Sequence, residues 1–358
     1  MQRAKTAGRH PPAIRPALRA PLAALVCALA LLVPLLSSAQ EVRYFRIGTG
    51  STAGTYFPIG GIIASAISKP PGSRDCAAGG SCGVPGLIAV AQSTEGSVAN
   101  VMGIAGGTLE SGLSQADISY WAYNGQGIFA DRGPIQNLRT IANFFPEAVH
   151  VVVRRDSGIT KVADLRGKRV SLDREGSGTR VDALLILEAY GIGLDDLDER
   201  ALAAGDAADR LRAGELDAFF MVVGTPATAV VNLAEDSLIT LIPIAGDAAD
   251  KLHEKYPFFA KDRIDSGTYF NIPSTETLSV GAQWLVSADL PEDLVYEITR
   301  ALWHENTRRL LDNGHPKGKL IRKVSALDGL VVPLHAGARR YYGEADTPFP
   351  GLTLDKTE

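Results

Sequence analysis

The sequence predicts an α/β protein, and three features of its pattern indicate this class. Short apolar runs alternate with segments in which apolar residues recur at helical spacing. Two of the turns that join a strand to a helix, residues 48–56 and 173–180, are rich in Gly, Ser and Thr. Strands that alternate with helices are typical of a sheet whose ligand sites lie at the carboxyl ends of strands.

The first strand–turn–helix unit spans residues 44–67. Residues 44–47 read as a strand, and apolar side chains then recur at i, i+3, i+4, i+7 and i+8 from Ile59. Such a turn presents hydroxyls and the backbone N–H groups of a helix N-terminus to a polar or anionic ligand. The candidate ligand-binding residues here are Thr52, Thr55 and Tyr56. The alternative is that they only cap the helix.

The rest of the chain continues the alternation. Pro146 should break the long strand-like run 138–154, because proline cannot donate to a sheet ladder. The segment 277–286 could return the chain to its first half, and Pro291 begins an amphipathic helix. Predicted strands are 87–90, 169–172, 216–223 and 238–244, and 116–121 is predicted to be a short strand or the end of one. Predicted helices include 97–105, 181–189 and 206–213.

The second Gly/Ser/Thr turn repeats the arrangement of the first. Its two glycines let the backbone approach a ligand closely, and the helix dipole favours a carboxylate there. Thr179 and Asp182 could instead form a capping box, and Arg180 could pair with a carboxylate or lie in solvent. Further candidates for ligand binding are Gln92, Ser93, Ser97, Asn100, Gln115, Ser177, Gly178, Thr179, Arg180 and Phe220.

The N-terminus has the pattern of a cleavable signal peptide, residues 1–39. A basic segment precedes an apolar stretch, and small residues end at Ala39, near the expected cleavage site. The chain carries a net charge of −4, and this leader contributes five positive charges, which leaves −9 from Gln40 onward. An acidic exported protein is a poor binder of nucleic acid. About 320 remaining residues suggest two lobes.

Two cysteines remain after cleavage, Cys76 and Cys82. In an oxidising compartment a local disulfide is favoured over a metal site or a redox motif, because neither further ligands nor a Cys-x-x-Cys spacing is present. No Walker lysine, Gly-x-Ser-x-Gly elbow or complete zinc-protease motif occurs in the sequence. We therefore expect a protein that is not an enzyme and that holds no metal and no cofactor.

Several segments together resemble the TAXI family, the solute receptors of tripartite ATP-independent periplasmic (TRAP) transporters. The matching segments cover nearly the whole chain after the leader, in the family's order, although Ser51 and Ala53 replace glycines common there. They are 47–61, 93–100, 115–117, 122–125, 164–170, 176–179, 217–220 and 332–342.

The resemblance implies a two-lobed type II periplasmic-binding fold. Lobe 1 would comprise residues 40–145 and 275–358, and lobe 2 residues 146–274. A monomer would close on a small anionic or zwitterionic solute, glutamate- or glutamine-like or a dicarboxylate, and deliver it to a TRAP permease. The alternative is a periplasmic sensory protein for a membrane signalling partner, which genomic neighbours would distinguish.

Overall fold

The computed structural model describes Gly8 and residues 41–344. Gly8 apart, the predicted signal peptide lies outside the described residues. No helix within the described part of the chain combines the length and the apolar character needed to cross a membrane.

The described residues form twelve strands and ten longer helices. The strands are β1 Arg43–Gly48, β2 Ser68–Lys69, β3 Val84–Pro85, β4 Leu87–Gln92, β5 Ser111–Gln115, β6 Leu138–Arg154, β7 Arg169–Ser171, β8 Asp198–Arg200, β9 Ala218–Val223, β10 Ile239–Leu241, β11 Ala260–Ile264 and β12 Thr275–Ser287. The helices are α1 Tyr56–Ile67, α2 Ser97–Ala105, α3 Ala116–Asn124, α4 Gly178–Ala189, α5 Ala204–Arg212, α6 Thr228–Glu235, α7 Asp247–Lys255, α8 Glu292–Leu302, α9 Glu305–Gly314 and α10 Ala336–Glu344.

Ten of these strands form one mixed sheet. Its order is β4-β1-β5-β12-β6-β9-β7-β8, while β10 pairs with β6 and β11 pairs with β12. The outer pairs on both sides are parallel, and the central pairs β5–β12, β12–β6 and β6–β9 are antiparallel. The alternation of strands and helices in the sequence is therefore confirmed as an α/β fold.

The long strand β6 runs through Pro146, so the prediction that this proline breaks the strand is wrong. The first part of β6 pairs with β12, and residues 148–153 pair with β9. Pro146 lies opposite Gly281, directly beside a register shift between Ala282 and Gln283. The ladder is already irregular there, and a bulge is one of the few places where a strand accepts proline.

The segment 116–121 was also misassigned as a strand. The strand is β5, which ends at Gln115, and the residues that follow form helix α3. This short helix buries Ile118, Trp121 and most of its other residues, so its sequence lacks the apolar and polar faces by which an amphipathic helix is identified. Gly125, with φ of 64°, ends it in the left-handed conformation.

Four buried apolar clusters hold the elements together. One surrounds Phe45 and Trp284 and joins β1, α1, β12 and α8. The side chains of Phe219 and Phe220 point to opposite faces of β9 and belong to two further clusters. A fourth packs α2 and α3 against Leu285 and also includes Val181 of α4.

Candidate functional site

A cavity of about 470 Å³, its open mouth included, lies where five strands end. The residues that line it follow or complete the carboxyl ends of β1, β4, β5, β7 and β9. The first residues of helices α1, α2 and α4 also border it. The lining residues are Gly50, Ser51, Gly54, Thr55, Tyr56, Glu95, Gly96, Ser97, Gln115, Glu147, Asp173, Ser177, Gly178, Thr179, Ala204, Met221, Val222 and Val223.

The start of α1 supplies two hydroxyl groups at this cavity. Thr55 Oγ1 donates a hydrogen bond to the carbonyl of Gly224 at 2.8 Å. The Tyr56 hydroxyl donates to Glu147 Oε2 at 2.5 Å. Both side chains are buried and bond to partners outside α1, and within the described residues no side chain caps the N-terminus of this helix, so the first Gly/Ser/Thr turn does not act as a cap.

Glu147 is a buried carboxyl group in the middle of β6, with 2% of its surface exposed. Burial raises its pKa to about 8, although the Tyr56 hydroxyl and the charge of Lys317 act in the opposite direction. Lys317 Nζ donates to the carbonyl of Pro146 at 3.4 Å. No ion pair to Glu147 exists within residues 41–344, so near neutral pH this carboxyl is protonated.

Gln115 connects three of the elements around the cavity. Its Oε1 accepts a hydrogen bond from Ser97 Oγ at 3.1 Å, and its Nε2 donates to Asp182 Oδ2 at 2.7 Å. The backbone N–H of Gln115 in turn donates to Ser97 Oγ. The end of β5 is thus tied to the starts of both α2 and α4.

Helix α4 begins at Gly178 and is capped by Ser177, so the predicted capping box of Thr179 and Asp182 is wrong. Ser177 Oγ accepts from the Thr179 N–H at 3.1 Å and donates to Asp173 Oδ2 at 2.9 Å. Thr179 Oγ1 is occupied by the Val222 N–H at 3.0 Å. Asp182 cannot complete the box, because its carboxyl group turns toward Gln115.

At Gly178 the two sides of the cavity approach closely. A Cβ atom on this residue would lie 1.4 Å from Gln115 Oε1 and 3.0 Å from Ser97 Oγ. Two further contacts join these two sides of the cavity. The Ala99 N–H donates to the Gly176 carbonyl at 3.0 Å, and Arg174 Nε lies 2.8 Å from Glu95 Oε2.

Seven of the predicted site residues line the cavity: Thr55, Tyr56, Ser97, Gln115, Ser177, Gly178 and Thr179. The other six do not border it. Thr52, Gln92 and Ser93 are exposed, and Ser93 Oγ donates to the Gly50 carbonyl. Asn100 is buried and donates to the carbonyls of Thr49 and Leu113.

The remaining two predicted residues have other partners. Arg180 forms an ion pair with Glu199 on β8 instead of facing the cavity. Phe220 is 1% exposed and packs in an apolar cluster with residues of β7 and α4. Phe220 was predicted to bind ligand, but the sheet is covered by buried clusters on both faces at this strand.

Three acidic residues at the cavity were missed by the sequence analysis: Glu95, Glu147 and Asp173. Glu147 had a signal, because it is the only acidic residue in the strand-like run 138–154. Burial raises the pKa of Asp173, which accepts hydrogen bonds from Ser177 and from the Arg174 N–H. No Lys or Arg is found among the described residues that line the cavity, so its donors are amides and hydroxyls.

One group of possible metal ligands lies away from this cavity. The sulfur atoms of Cys76 and Cys82 and a ring nitrogen of His304 lie within 4.8 Å of one another. The two sulfur atoms are 1.97 Å apart, which is bonding distance. A disulfide carries no thiolate to bind a metal, so this group reads as a cross-linked loop; Asn306 Nδ2 donates to Cys82 Sγ at 2.7 Å.

Comparison with known proteins identifies the family. Residues 47–345 match the NMT1-like family, and the chain belongs to it. Among solved structures, MatC from Rhodopseudomonas palustris with bound malate aligns at 12% identity, covering 85% of this chain and 97% of MatC, with a TM-score of 0.50.

Two further structures align less closely. The alkanesulfonate-binding protein SsuA from Xanthomonas axonopodis is 16% identical over 87% of this chain and 86% of its own, with a TM-score of 0.46. PhnD1 from Prochlorococcus marinus in complex with methylphosphonate is 12% identical over 85% and 99%, with a TM-score of 0.49. The predicted fold class is confirmed by the mixed sheet with its helices, and the alignment with MatC shows the same fold.

Proposed function

We propose that this protein is an exported solute receptor of the TAXI type. It captures a small organic acid or amino acid, glutamate- or glutamine-like or a dicarboxylate, and delivers it to a TRAP permease. It acts as a periplasmic monomer without a cofactor. The proposal goes beyond the family assignment, which leaves the solute and the membrane partner open.

The observation that carries the proposal is a single cavity to which two separate parts of the chain contribute a helix N-terminus. Thr55 and Tyr56 begin α1, and Ser177 and Gly178 begin α4. These residues fall on opposite sides of the boundary between the proposed lobes, 40–145 with 275–358 and 146–274. The buried cluster around Trp284 draws only on the first lobe, and the buried residues of that around Phe219 only on the second, with Ala53 of the first packed against them.

The chemistry of the cavity suits a carboxylate held without a cationic side chain. Helix N-termini favour an anion by about 0.3 to 2 kcal/mol each. Charge-assisted hydrogen bonds from unpaired N–H groups add about 1.5 to 3 kcal/mol. A protonated Glu147, which lies beside Tyr56, adds one more hydrogen-bond donor to the cavity.

Several hydrogen bonds already cross the boundary between the proposed lobes. They join Thr55 to Gly224, Ala99 to Gly176 and Gln115 to Asp182. Lobes held in this way define a closed form, and opening would break these bonds and expose the cavity. A solute that contacts both helix N-termini would favour closure because it binds only when both are near.

A thermal-shift screen of the purified mature protein tests the proposal. L-Glutamate, L-glutamine, 2-oxoglutarate and malate form the panel, and a neutral sugar of similar size is the control. A solute at 100 times its dissociation constant should stabilise the protein by about 2.7 kcal/mol. Mass spectrometry should then find the bound compound unchanged.

Two results would contradict the proposal. Conversion of a bound compound into product would contradict a receptor, and the absence of a shift with every acid would contradict the ligand class. Delivery is tested separately, by adding the loaded protein to vesicles that contain a TRAP permease from the same organism. Uptake that does not depend on the protein would contradict that step.

A further inference from the structure

Behind the cavity, two buried carboxyl groups face each other. Asp117 lies in the first turn of α3, and Asp182 lies in α4. Both side chains are fully buried, and the two carboxyls are hydrogen-bonding neighbours. Since α3 and α4 belong to different proposed lobes, this pair spans the boundary that closure creates.

The pair is short of hydrogen-bond donors. Among the described residues, no donor reaches Asp117 Oδ1, Asp117 Oδ2 or Asp182 Oδ1. Asp182 Oδ2 is the only oxygen of the four with a partner, the amide Nε2 of Gln115 at 2.7 Å. Two ionised carboxylates cannot stay in contact under these conditions, but one proton between them supplies the missing donor.

Burial acts against ionisation of both carboxyls and raises the pKa of each. The neighbouring charge of Asp117 acts further against ionisation of Asp182. One hydrogen shared between the two side chains relieves both effects, whichever carboxyl carries it.

The other titratable groups that face the pair do not provide a positive charge. They are Glu147 of β6 and the Tyr56 hydroxyl of α1. Arg180, two residues before Asp182, is paired with Glu199. The pair is therefore surrounded by acids and amides, and a proton is the ligand its geometry fits.

We propose that Asp117 and Asp182 form a proton-binding site that is completed when the lobes close, so that solute capture takes up one proton. In the open form the two carboxyls separate and ionise independently, as solvated aspartates do near pH 4. The linkage to solute rests on the proposed receptor function; the shared proton does not. Closure is then favoured by acid, and solute affinity falls as the pH rises.

The direction of this pH dependence follows from the linkage between proton binding and folding. Burial raises the pKa of Asp117 to about 6 and that of Asp182 further above its ordinary value. A raised pKa means that the folded, closed form binds the proton more tightly than the unfolded chain. The stabilisation is complete below about pH 4 and is lost as the pH rises through the raised values.

The variant Asp182→Asn is the sharpest test, because its amide can donate to Asp117 at every pH. Unfolding by urea should be compared with the native protein from pH 5 to pH 8, with both proteins saturated by the solute found in the thermal-shift screen, so that the closed form is the one that unfolds. The ratio of the two folding equilibrium constants, native over variant, should fall by up to tenfold per pH unit from pH 5. The exposed Asp131→Asn is the matched control and should leave the ratio constant.

A second measurement separates the proton site from the receptor function. Calorimetry of solute binding at pH 7, in two buffers of different ionisation enthalpy, should show about one proton fewer taken up by Asp182→Asn than by the native protein. Any proton that Glu147 takes up or releases on binding is the same in both proteins, so it cancels when their proton uptake is compared. Asp117→Asn should remove the same proton.

Each outcome decides a separate point. A pH-independent stability ratio would overturn the shared proton. A sloping ratio with equal proton uptake in both proteins would overturn its linkage to closure. If no solute binds to either protein, the proposed function fails, and the stability ratio measured on the free proteins then decides whether the two carboxyls share a proton in the folded form.

Discussion

Substitution of Gly178 by alanine probes the close approach between the two sides of the cavity. The new Cβ would lie 1.4 Å from Gln115 Oε1, whereas real Cβ contacts do not fall below 3.0 Å. The Gln115 amide must therefore withdraw by about 1.6 Å or more. It cannot do so and keep its hydrogen bonds to Ser97 and Asp182.

The expected cost follows from those two bonds. Each contributes about 0.5 to 1.5 kcal/mol, and a buried group left without its partner costs about 1 to 3 kcal/mol. Gly178→Ala should therefore lower the free energy of unfolding by about 2 to 4 kcal/mol. Solute affinity should fall as well, because the closed form loses the same contacts.

Gly61→Ala is the matched control. Gly61 lies inside α1, and a Cβ there would meet nothing within 4 Å. Alanine should stabilise this helix by about 0.5 to 1 kcal/mol. Both variants are measured by urea unfolding followed by circular dichroism. A Gly178→Ala protein as stable as Gly61→Ala, with native solute affinity, would refute the close approach at Gln115.

Two other properties are open to direct measurement. Since its folded pKa of about 8 is raised, Glu147 stabilises the protein below its unfolded pKa near 4 and loses this contribution as the pH rises through 8. Between pH 5 and pH 8, Glu147→Gln should remove about 3 to 4 kcal/mol of the change in the free energy of unfolding. The exposed Glu254→Gln is the control and should leave this change as in the native protein. The same pH profile in both variants would contradict a buried, protonated Glu147. Reduction of protein purified from the periplasm should add two hydrogens for Cys76 and Cys82 and lower the free energy of unfolding by about 2 to 3 kcal/mol. Two thiols that alkylate without reductant would exclude the disulfide.

The sequence pattern predicts most strands and helices because their apolar periods are local. Helix α2 was predicted with the bounds 97–105 that the structure has, since its small and apolar residues are flanked by clear turn signals. Helix α3 escaped because it is buried on nearly every side. Pro146 was misjudged because the bulge that accommodates it depends on register with a strand more than a hundred residues away.

For the candidate site, too, the sequence predicts the local features and misses the contacts between distant segments. Turn composition locates the helix N-termini at Thr55 and Ser177, because glycine and hydroxyl residues are needed close to the backbone there. It does not reveal which side chains those turns meet. The contacts of Gln115 with Asp182 and of Tyr56 with Glu147 depend on how distant segments cross in the folded chain. Such pairings leave no local signal in one sequence.

The cavity's charge balance sets a condition on any solute. Glu95 has Arg174 as its partner, and Asp173 is held by Ser177 and a backbone N–H, so Glu147 is the carboxyl whose protonation decides the charge of the inner wall. With the pKa of Glu147 at about 8, this wall is neutral near pH 7, and the Tyr56 hydroxyl occupies only one of the two carboxyl oxygens of Glu147. A carboxylate solute would then meet the protonated carboxyl group of Glu147, which can donate a hydrogen bond to it. If Glu147 were ionised, its negative charge would repel the same solute. An ammonium group at the same place would instead draw the proton off Glu147 and release it to solvent. A proton released by the native protein but not by Glu147→Gln thus identifies an amine at this wall, and equal proton exchange in the two proteins identifies an acid.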